Sequence, residues 1–156
     1  MSKLSTKLKR IGACEDAVEW SKGYDDDQVA WDACERGDWL LWVLSEREKS
    51  KPWTDDRKPL VKCCIEVALT VKHLWPKAQA ANLDAAMKTM QKWCNGKATT
   101  EEANAATCAA NAAATYAIYA ASATYAATYA ATCATCAANR KKTVKIVRKH
   151  FPNPPK

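Results

Sequence analysis

The segment that most constrains this fold is residues 108–139, which carry no charge and consist almost entirely of Ala, Thr, Tyr, Cys and Asn. Alanine is the strongest helix former, and the pair Thr99 and Glu102 just upstream has the spacing of a capping box. Neither Gly nor Pro interrupts the segment. The sequence therefore predicts one helix of about 40 residues spanning roughly 55–60 Å. Since such a helix has no charged face for solvent, we expect it to be the central helix of an all-α bundle.

On a helical wheel this Ala-rich helix has a smooth face and a rough face. The smooth face is a narrow sector of alanines that lets another helix approach closely, and only Tyr116 interrupts it. Tyr116 is therefore a candidate contact for a partner. A homo-oligomer that pairs two smooth faces is the alternative to packing within one chain.

An ice-binding surface and a membrane span are two further interpretations of the Ala-rich segment. Thr107, Thr115 and Thr124 are eight and nine residues apart, so threonine does not recur at one fixed interval as an ice-binding repeat requires. The polar Thr and Asn side chains oppose insertion into a bilayer. We therefore favour a packing helix and expect no membrane association.

The remainder of the chain also predicts helices, because no segment alternates apolar and polar residues for long enough to form a strand. The first predicted helix runs from Ser5 or Ala13 to Trp20 and stops near Gly23, and the second covers about Gln28–Arg36 after the acids 25–27. The third begins at the capping residue Asp38 and continues through DWLLWVLSERE. The last two cover about Lys58–Leu74 and about Lys77–Cys94, with a stop at Gly96. We expect a bundle of about five or six helices in one domain, residues 1–150. Residues 151–156, rich in proline, are predicted to be a flexible C-terminal tail.

No combination of residues in the sequence predicts catalysis. The chain has two histidines, His73 and His150, and contains neither an HExxH motif nor a Gly-rich phosphate loop. Cys133 and Cys136 form a CxxC pair, but a zinc site needs a second pair of ligands. We expect no catalytic site, no metal and no cofactor, and we expect the eight cysteines to be reduced, buried packing residues.

Positive charge is concentrated at the two ends of the chain, whose net charge is +7. The N-terminus is basic and polar with no apolar run behind it, so we expect no signal peptide and a cytoplasmic location. Near the C-terminus, cations alternate with Val144, Ile146 and Val147. This pattern is typical either of an amphipathic helix with its charges in water or of a phosphate-binding surface. The candidate phosphate-binding residues are Arg140, Lys141, Lys142, Lys145, Arg148 and Lys149.

The chain contains three distinctive stretches, IGACEDAVEW, AWDACERGDWLLWVL and AANAAATYAIYAASATYAATYAA. Together they resemble small helical immunity proteins of phages and bacteria. The Gly-Ala-Cys opening of that family is matched by Gly12, Ala13 and Cys14. Its tryptophan block is matched by Trp31, Cys34, Asp38, Trp39, Leu40, Leu41 and Trp42. The resemblance covers most of residues 10–138, although the Ala-rich segment is less acidic than is usual for the family.

The resemblance implies a partner that is a bacterial toxin or defence protein. We therefore expect a non-enzymatic protein of phage or mobile-element origin that inhibits its partner by occlusion, as toxin immunity or counter-defence. Tyr24 and Trp53, in predicted loops, join Tyr116 as candidate contacts, because large rigid aromatic side chains dominate protein interfaces. Trp39 and Trp42 share a helix face and are predicted to anchor the core. The alternative function is sequestration of a nucleotide or nucleic acid by the basic C-terminal helix.

Overall fold

The computed structural model describes residues 3–47, 53–70, 72–74, 77–109 and 139–155. Every regular element in these ranges is a helix and none is a strand, so the protein is an all-α helical bundle, as predicted. Residues 110–138 of the Ala-rich segment lie outside the described residues. That the other helices pack around this segment therefore stays a prediction.

The described helices are short compared with the one predicted for the Ala-rich segment. They are α1 (Lys3–Arg10), α2 (Glu15–Ser21), α3 (Asp27–Ala33), α4 (Gly37–Arg47), α5 (Lys58–Thr70), α6 (Lys77–Cys94), α7 (described residues 100–109) and α8 (described residues 139–150). Short 3-10 helices at Asp55–Arg57 and Lys72–Leu74 flank α5. The predicted fourth helix was therefore too long at its C-terminal end.

The first predicted helix is in fact two helices, α1 and α2, separated by a turn at Gly12. Gly12 has a φ of +82°, which favours glycine. Its amide donates to the carbonyl of Lys9 at 3.1 Å, and the amide of Ala13 donates to that of Leu8 at 3.0 Å. This is the Schellman pattern that ends a helix. Of the two predicted starts, Ser5 is wrong because Gly12 ends α1, whereas the start near Ala13 agrees with α2, which begins at Glu15.

Three predicted helix ends are confirmed by hydrogen bonds or backbone angles. The carboxylate of Asp26 accepts from the amide of Val29 at 2.9 Å and caps α3. Gly96 has a φ of +70° and ends α6. Thr99 and Glu102 form the reciprocal capping box, with backbone-to-side-chain distances of 2.7 and 3.2 Å.

The junction between α3 and α4 differs from the prediction. The structure ends α3 at Ala33 and places Gly37 as the first residue of α4 rather than as a break. Asp38 therefore lies in the first turn instead of capping the helix. A Cβ on Gly37 would lie 2.6 Å from the Cβ of Thr143, so glycine is required here because α8 crosses in contact with the start of α4.

Two groups of buried side chains form the core. The first group joins α3, α4, α5 and α8, and its members are Trp31, Cys34, Leu40, Leu44, Leu60, Cys63, Val144, Ile146 and Val147. The second group joins α5, α6 and α7, and its members are Val61, Ile65, Trp93, Cys94 and Ala103. Val147 is 0% exposed, so the basic C-terminal helix contributes directly to the centre of the first group.

The six cysteines in the described part of the chain are free thiols. Cys34, Cys63 and Cys94 are buried, as expected for packing residues. The expectation was wrong for Cys14, Cys64 and Cys108, which are exposed, because their positions face away from the two core groups. Cys133 and Cys136 lie outside the described residues.

Candidate functional site

A cleft of about 810 Å³ opens between α1, the turn after it, α3, α4 and the end of the chain. Its volume is within the range of about 300–1,000 Å³ that is usual for ligand sites. We call it the tryptophan cleft. The described residues that line it are Leu4, Lys7, Leu8, Arg10, Ile11, Gly12, Ala13, Cys14, Ala17, Trp20, Asp27, Ala30, Trp31, Cys34, Arg36, Asp38, Trp39, Leu40, Trp42, Val43, Glu46, Pro154 and Pro155.

Helix α4 forms one wall because it is apolar on two sides. Leu40 and Leu44 are buried in the first core group. At about 100° per residue, Trp39, Trp42 and Val43 share another side of the helix, and all three line the cleft and are half-buried. A helix with a single buried face would need only Leu40 and Leu44 as large apolar residues. Helix α4 also carries Trp39, Trp42 and Val43, which line the open cleft.

The aromatic wall continues from α4 onto α2. The ring centroids of Trp20 and Trp39 are 5.9 Å apart, with the planes inclined by 59°. Trp20 also contacts Tyr24, with centroids 4.7 Å apart. Contacting rings of this kind present a rigid, mainly apolar surface whose side-chain entropy is already restricted, which suits a binding surface.

One ion pair stands on the rim of the cleft. The Arg36 guanidinium donates to both oxygens of Asp38 at 2.9 and 2.7 Å, and it lies 4.4 Å from the ring centroid of Trp39. The hydrogen bond from Arg36 lowers the pKa of Asp38 and raises its own. Asp38 is therefore an ionised carboxylate paired with Arg36, which makes it a poor general acid. The pair also holds the guanidinium of Arg36 over the ring of Trp39.

The opposite wall comes from α1 and the adjoining turn. Lys7 of α1 pairs with Asp27 of α3 and joins the two helices at the edge of the cleft. Cys34 lies at the base of the cleft, where burial raises the pKa of its thiol. The thiol is thus kept protonated and behaves as an apolar wall rather than as a nucleophile.

The C-terminal tail closes one end of the cleft. The indole Nε1 of Trp31 donates to the carbonyl of Phe151 at 3.0 Å, and Gln28 Nε2 donates to the carbonyl of Pro152 at 3.2 Å. Beyond these two contacts, Pro154 and Pro155 line the cleft. The segment that the sequence predicts to be a flexible tail therefore has defined contacts with α3 over its first residues.

Of the predicted aromatic contacts, one lies beside the cleft. Tyr24 is half-buried, and its ring packs against that of the cleft residue Trp20 with the planes inclined by 41°. Trp53 belongs to the other side of the molecule, where its ring contacts the edge of Trp93 at 5.2 Å in the second core group. Tyr116 lies outside the described residues.

The predicted cations divide into two sets. Arg140, Lys141, Lys142 and Lys145 are exposed on α8. Arg148 instead turns inward, and its Nη2 donates to the carbonyls of Trp31 and Cys34 at 2.7 and 2.8 Å. Lys149 contacts Glu66 of α5 at 2.9 Å.

Arg148 and Lys149 each contact another helix of the bundle. The carbonyls that Arg148 binds are at the C-terminal end of α3, where a helix has unpaired acceptors and a partial negative charge. Lys149 and His150 both contact Glu66 and lower its pKa, His150 having the larger effect. Arg148 therefore fastens α8 to the end of α3, while Lys149, whose side chain is 65% exposed, adds a surface ion pair to α5.

Most of the cleft is not predicted by the sequence. The helical spacing of Trp39 and Trp42 predicts core positions for both; Trp39 does pack against the first core group, and both also line the cleft. No pattern gives a role to Arg36, Pro154 or Pro155. A signal is present in α4, because WLLWVL has more large apolar residues than one buried helix face can hold. No comparable signal indicates that the C-terminal prolines return to α3.

No protein-family model matches the sequence, and neither a curated protein nor a solved structure matches the chain. Among the described helices, none combines the length and apolar character that crossing a bilayer requires. The side chains of the described ranges also contain no cluster of three or more potential metal ligands.

Proposed function

We propose that this chain is a non-enzymatic binding protein that inhibits a partner protein by taking an apolar part of that partner into the tryptophan cleft. The partner class is a bacterial toxin or a bacterial defence protein, and the chain originates from a phage or another mobile element. It acts as toxin immunity or as a counter-defence inhibitor.

The observation that carries this proposal is where the residues of the two sequence motifs lie. The Gly-Ala-Cys motif, residues 12–14, forms the turn at one wall of the cleft, and Trp31, Cys34, Asp38, Trp39, Leu40 and Trp42 form its base and opposite wall. The motifs are separated in the sequence, and their convergence on one open surface supports a shared binding role. Core packing alone would not need half-buried tryptophans around an open volume of about 810 Å³.

The chemistry of the cleft favours binding over catalysis. Its walls are tryptophan, leucine and alanine side chains, and the ion pair on its rim is satisfied internally. Interfaces use such rigid aromatic residues as their main energetic contacts and surround them with a polar rim. Lys7, Arg36 and Asp38 provide that rim here.

The test begins with capture of a partner by the immobilised chain from a nuclease-treated bacterial lysate. The captured protein is then identified, purified and titrated against the chain in its own activity assay. We expect a 1:1 complex and loss of the partner's activity in proportion to the chain added. Trp42→Ala should weaken the purified complex by about thirtyfold, the effect of losing an interface residue worth about 2 kcal/mol.

The matched control is Leu69→Ala, since Leu69 is an exposed apolar residue of α5 that does not line the cleft. It should leave the affinity unchanged. Equal affinity of Trp42→Ala and the unchanged chain would refute the cleft as the docking surface. Turnover of the captured protein by the chain would refute a non-enzymatic role.

A second candidate function is supported by the exposed side of α8. Arg140, Lys141, Lys142 and Lys145 face solvent while Val144 and Val147 are buried. The helix is thus held rigidly with a cationic outer surface, which suits phosphate groups of a nucleotide or nucleic acid. In this proposal Arg148 makes no direct contact, since its guanidinium is engaged by the carbonyls of Trp31 and Cys34, and Lys149 already pairs with Glu66 at the surface.

A salt titration with a short single-stranded RNA tests the second candidate. If all four exposed cations contact phosphates, the logarithm of the affinity should fall with the logarithm of salt with a slope of about −3. Lys141→Gln should reduce that slope by about 0.7. Lys92→Gln, at an exposed lysine of α6, should leave it unchanged, and an equal change in both variants would indicate nonspecific attraction only.

A further inference from the structure

The occupant of the tryptophan cleft is indicated by the segment of this chain that already touches it. We infer that the cleft binds an extended, proline-containing segment of the partner protein, and that Pro154 and Pro155 of this chain are an intramolecular competitor for that surface. The inference rests on the proposed function, because it specifies the part of the partner that the cleft takes.

The tail is held by its backbone carbonyls. Trp31 and Gln28 donate side-chain hydrogen bonds to the consecutive carbonyls of Phe151 and Pro152, at 3.0 and 3.2 Å. A proline-rich segment has few amide donors, so its carbonyls are the polar groups available for recognition. Indole N–H and amide N–H groups are donors that can bind such carbonyls without needing a donor from the ligand.

Two prolines come next in the tail and reach the cleft. Pro154 and Pro155 line it together with Trp39 and Trp42. Proline rings restrict a segment to an extended conformation before binding and therefore reduce the entropy lost on docking. Aromatic-lined grooves bind proline-rich segments in this manner, with the rings of proline against the rings of the groove.

The cleft is larger than the part of the tail that lines it. The tail contributes to the wall of a volume of about 810 Å³. Pro154 and Pro155 are two of its many lining residues, which also include Trp20, Trp39 and Trp42. A longer proline-containing segment from a partner would contact the wall of α4 as well as the surface that Pro154 and Pro155 cover, so it would displace these two prolines by making more contacts.

The experiment measures binding of a fluorescent peptide with the sequence of residues 150–156 to the whole chain by anisotropy. We expect saturable binding with a Kd of about 1 mM or tighter. The double variant Pro154→Ser, Pro155→Ser of the protein should bind the peptide more tightly. The gain should be about tenfold if the tail occupies the cleft nine-tenths of the time, since apparent affinity scales with the fraction of open sites.

Three controls make the outcome specific. A peptide with alanine in place of every proline should bind at least about tenfold more weakly, as a loss of about 1.4 kcal/mol requires. Trp42→Ala should abolish binding of the proline peptide, and Leu69→Ala should not. Absence of saturable binding, equal binding of the alanine peptide, or insensitivity to Trp42→Ala would each overturn the inference.

Two further measurements exclude other occupants of the cleft. Light scattering should show the same mass for the unchanged chain and for the Pro154→Ser, Pro155→Ser variant. A dimer that dissociates in the variant would mean that the tail of a second copy occupies the cleft. This result would overturn the inference that the cleft binds a segment of a different partner protein. If a captured partner binds in a Trp42-dependent manner but is not displaced by the proline peptide, the proposed function stands and the proline inference fails.

Discussion

A tryptophan with a cation over its ring occurs at two places in the described part of the chain, and the two places differ in what covers the ring. In the second core group, Trp93 has Lys58 at 5.5 Å from its ring centroid, and Lys58 pairs with Asp55 at 2.7 Å. A further tryptophan, Trp53, contacts Trp93 in a T-shaped arrangement with the ring planes inclined by 86°.

The tryptophan cleft repeats this combination of side chains. Trp39 has Arg36 at 4.4 Å, Arg36 pairs with Asp38 at 2.7 Å, and Trp20 contacts Trp39. However, Trp93 is only 4% exposed whereas Trp39 is half-buried. Helix α7 completes the cover of Trp93 through Ala103, and no described helix plays this part at Trp39. The same residue types thus form a closed core where a further helix covers the tryptophan, and an open surface where no described helix does so.

The largest expected effect compares the two kinds of tryptophan directly. Trp93→Ala should lower the free energy of unfolding by about 3–5 kcal/mol, because it empties a closed core. Trp42→Ala should lower it by only about 1 kcal/mol, because that side chain is already partly in water. Urea denaturation measures both. Equal losses would mean that the cleft is a closed core in solution.

The next effect concerns the contact that joins α8 to α3 below the cleft. Arg148→Met should lower the free energy of unfolding by about 2–3 kcal/mol, since it leaves the two carbonyls of Trp31 and Cys34 without their charged donor. Lys141→Met, at an exposed position of the same helix, should stay within about 0.5 kcal/mol. The same denaturation experiment applies, and similar losses in both variants would contradict a capping role for Arg148.

The third effect tests the closed side of α4, opposite the cleft. Gly37→Ala should destabilise the protein by about 1–3 kcal/mol, because the new Cβ would lie 2.6 Å from that of Thr143, an atom that cannot rotate away. Gly23→Ala is the control, since its nearest neighbour would be at 3.7 Å. Thermal unfolding compares the two. A neutral Gly37→Ala would show that α8 and α4 can separate at this crossing without loss of stability.

The smallest effect concerns the ion pair on the cleft rim. Because Arg36 lowers the pKa of Asp38 in the folded state, the pair stabilises the protein above the ordinary Asp value of about 3.9. That contribution is lost as the pH falls through the lowered value. Asp38→Asn should therefore cost less than about 1 kcal/mol at pH 7, as for an exposed pair, and nothing in strong acid.

Urea denaturation at neutral and acidic pH measures this difference, and Glu35→Gln, at an exposed neighbouring residue, is the control. A penalty for Asp38→Asn that persists at low pH would contradict a contribution from the charged pair. A penalty well above about 1 kcal/mol, the upper end for exposed pairs, would mean that the rim is as closed to water as the surroundings of Trp93.

Local sequence was sufficient where the determining interaction is short-range. The boundaries of α6, the Asp26 cap and the Thr99–Glu102 capping box were predicted, because each depends on residues within one helical turn. The all-α class followed from hydrophobic periodicity in the same way. The start of the first predicted helix was left open between Ser5 and Ala13, although Gly12, which separates α1 from α2, is also a local signal.

The candidate site could not be predicted from local sequence, because it depends on contacts between residues that are far apart in the chain. Whether Trp42 is core or surface depends on which helices cover α4, and those helices are far away in the sequence. The cap that Arg148 makes on α3 and the contact of Pro152 with Gln28 join residues separated by 114 to 124 positions. No short-range pattern distinguishes Arg148 from the exposed cations beside it.

By itself, the sequence determined that the described chain is helical, where α6 begins and ends, and where α3 and α7 begin, because backbone capping and side-chain periodicity act over a few residues. Tertiary structure decided which apolar side of α4 is buried, which cations of α8 turn inward and where the prolines lie. These outcomes depend on how helices distant in the sequence fill space against one another. A cleft is the place where that filling is incomplete.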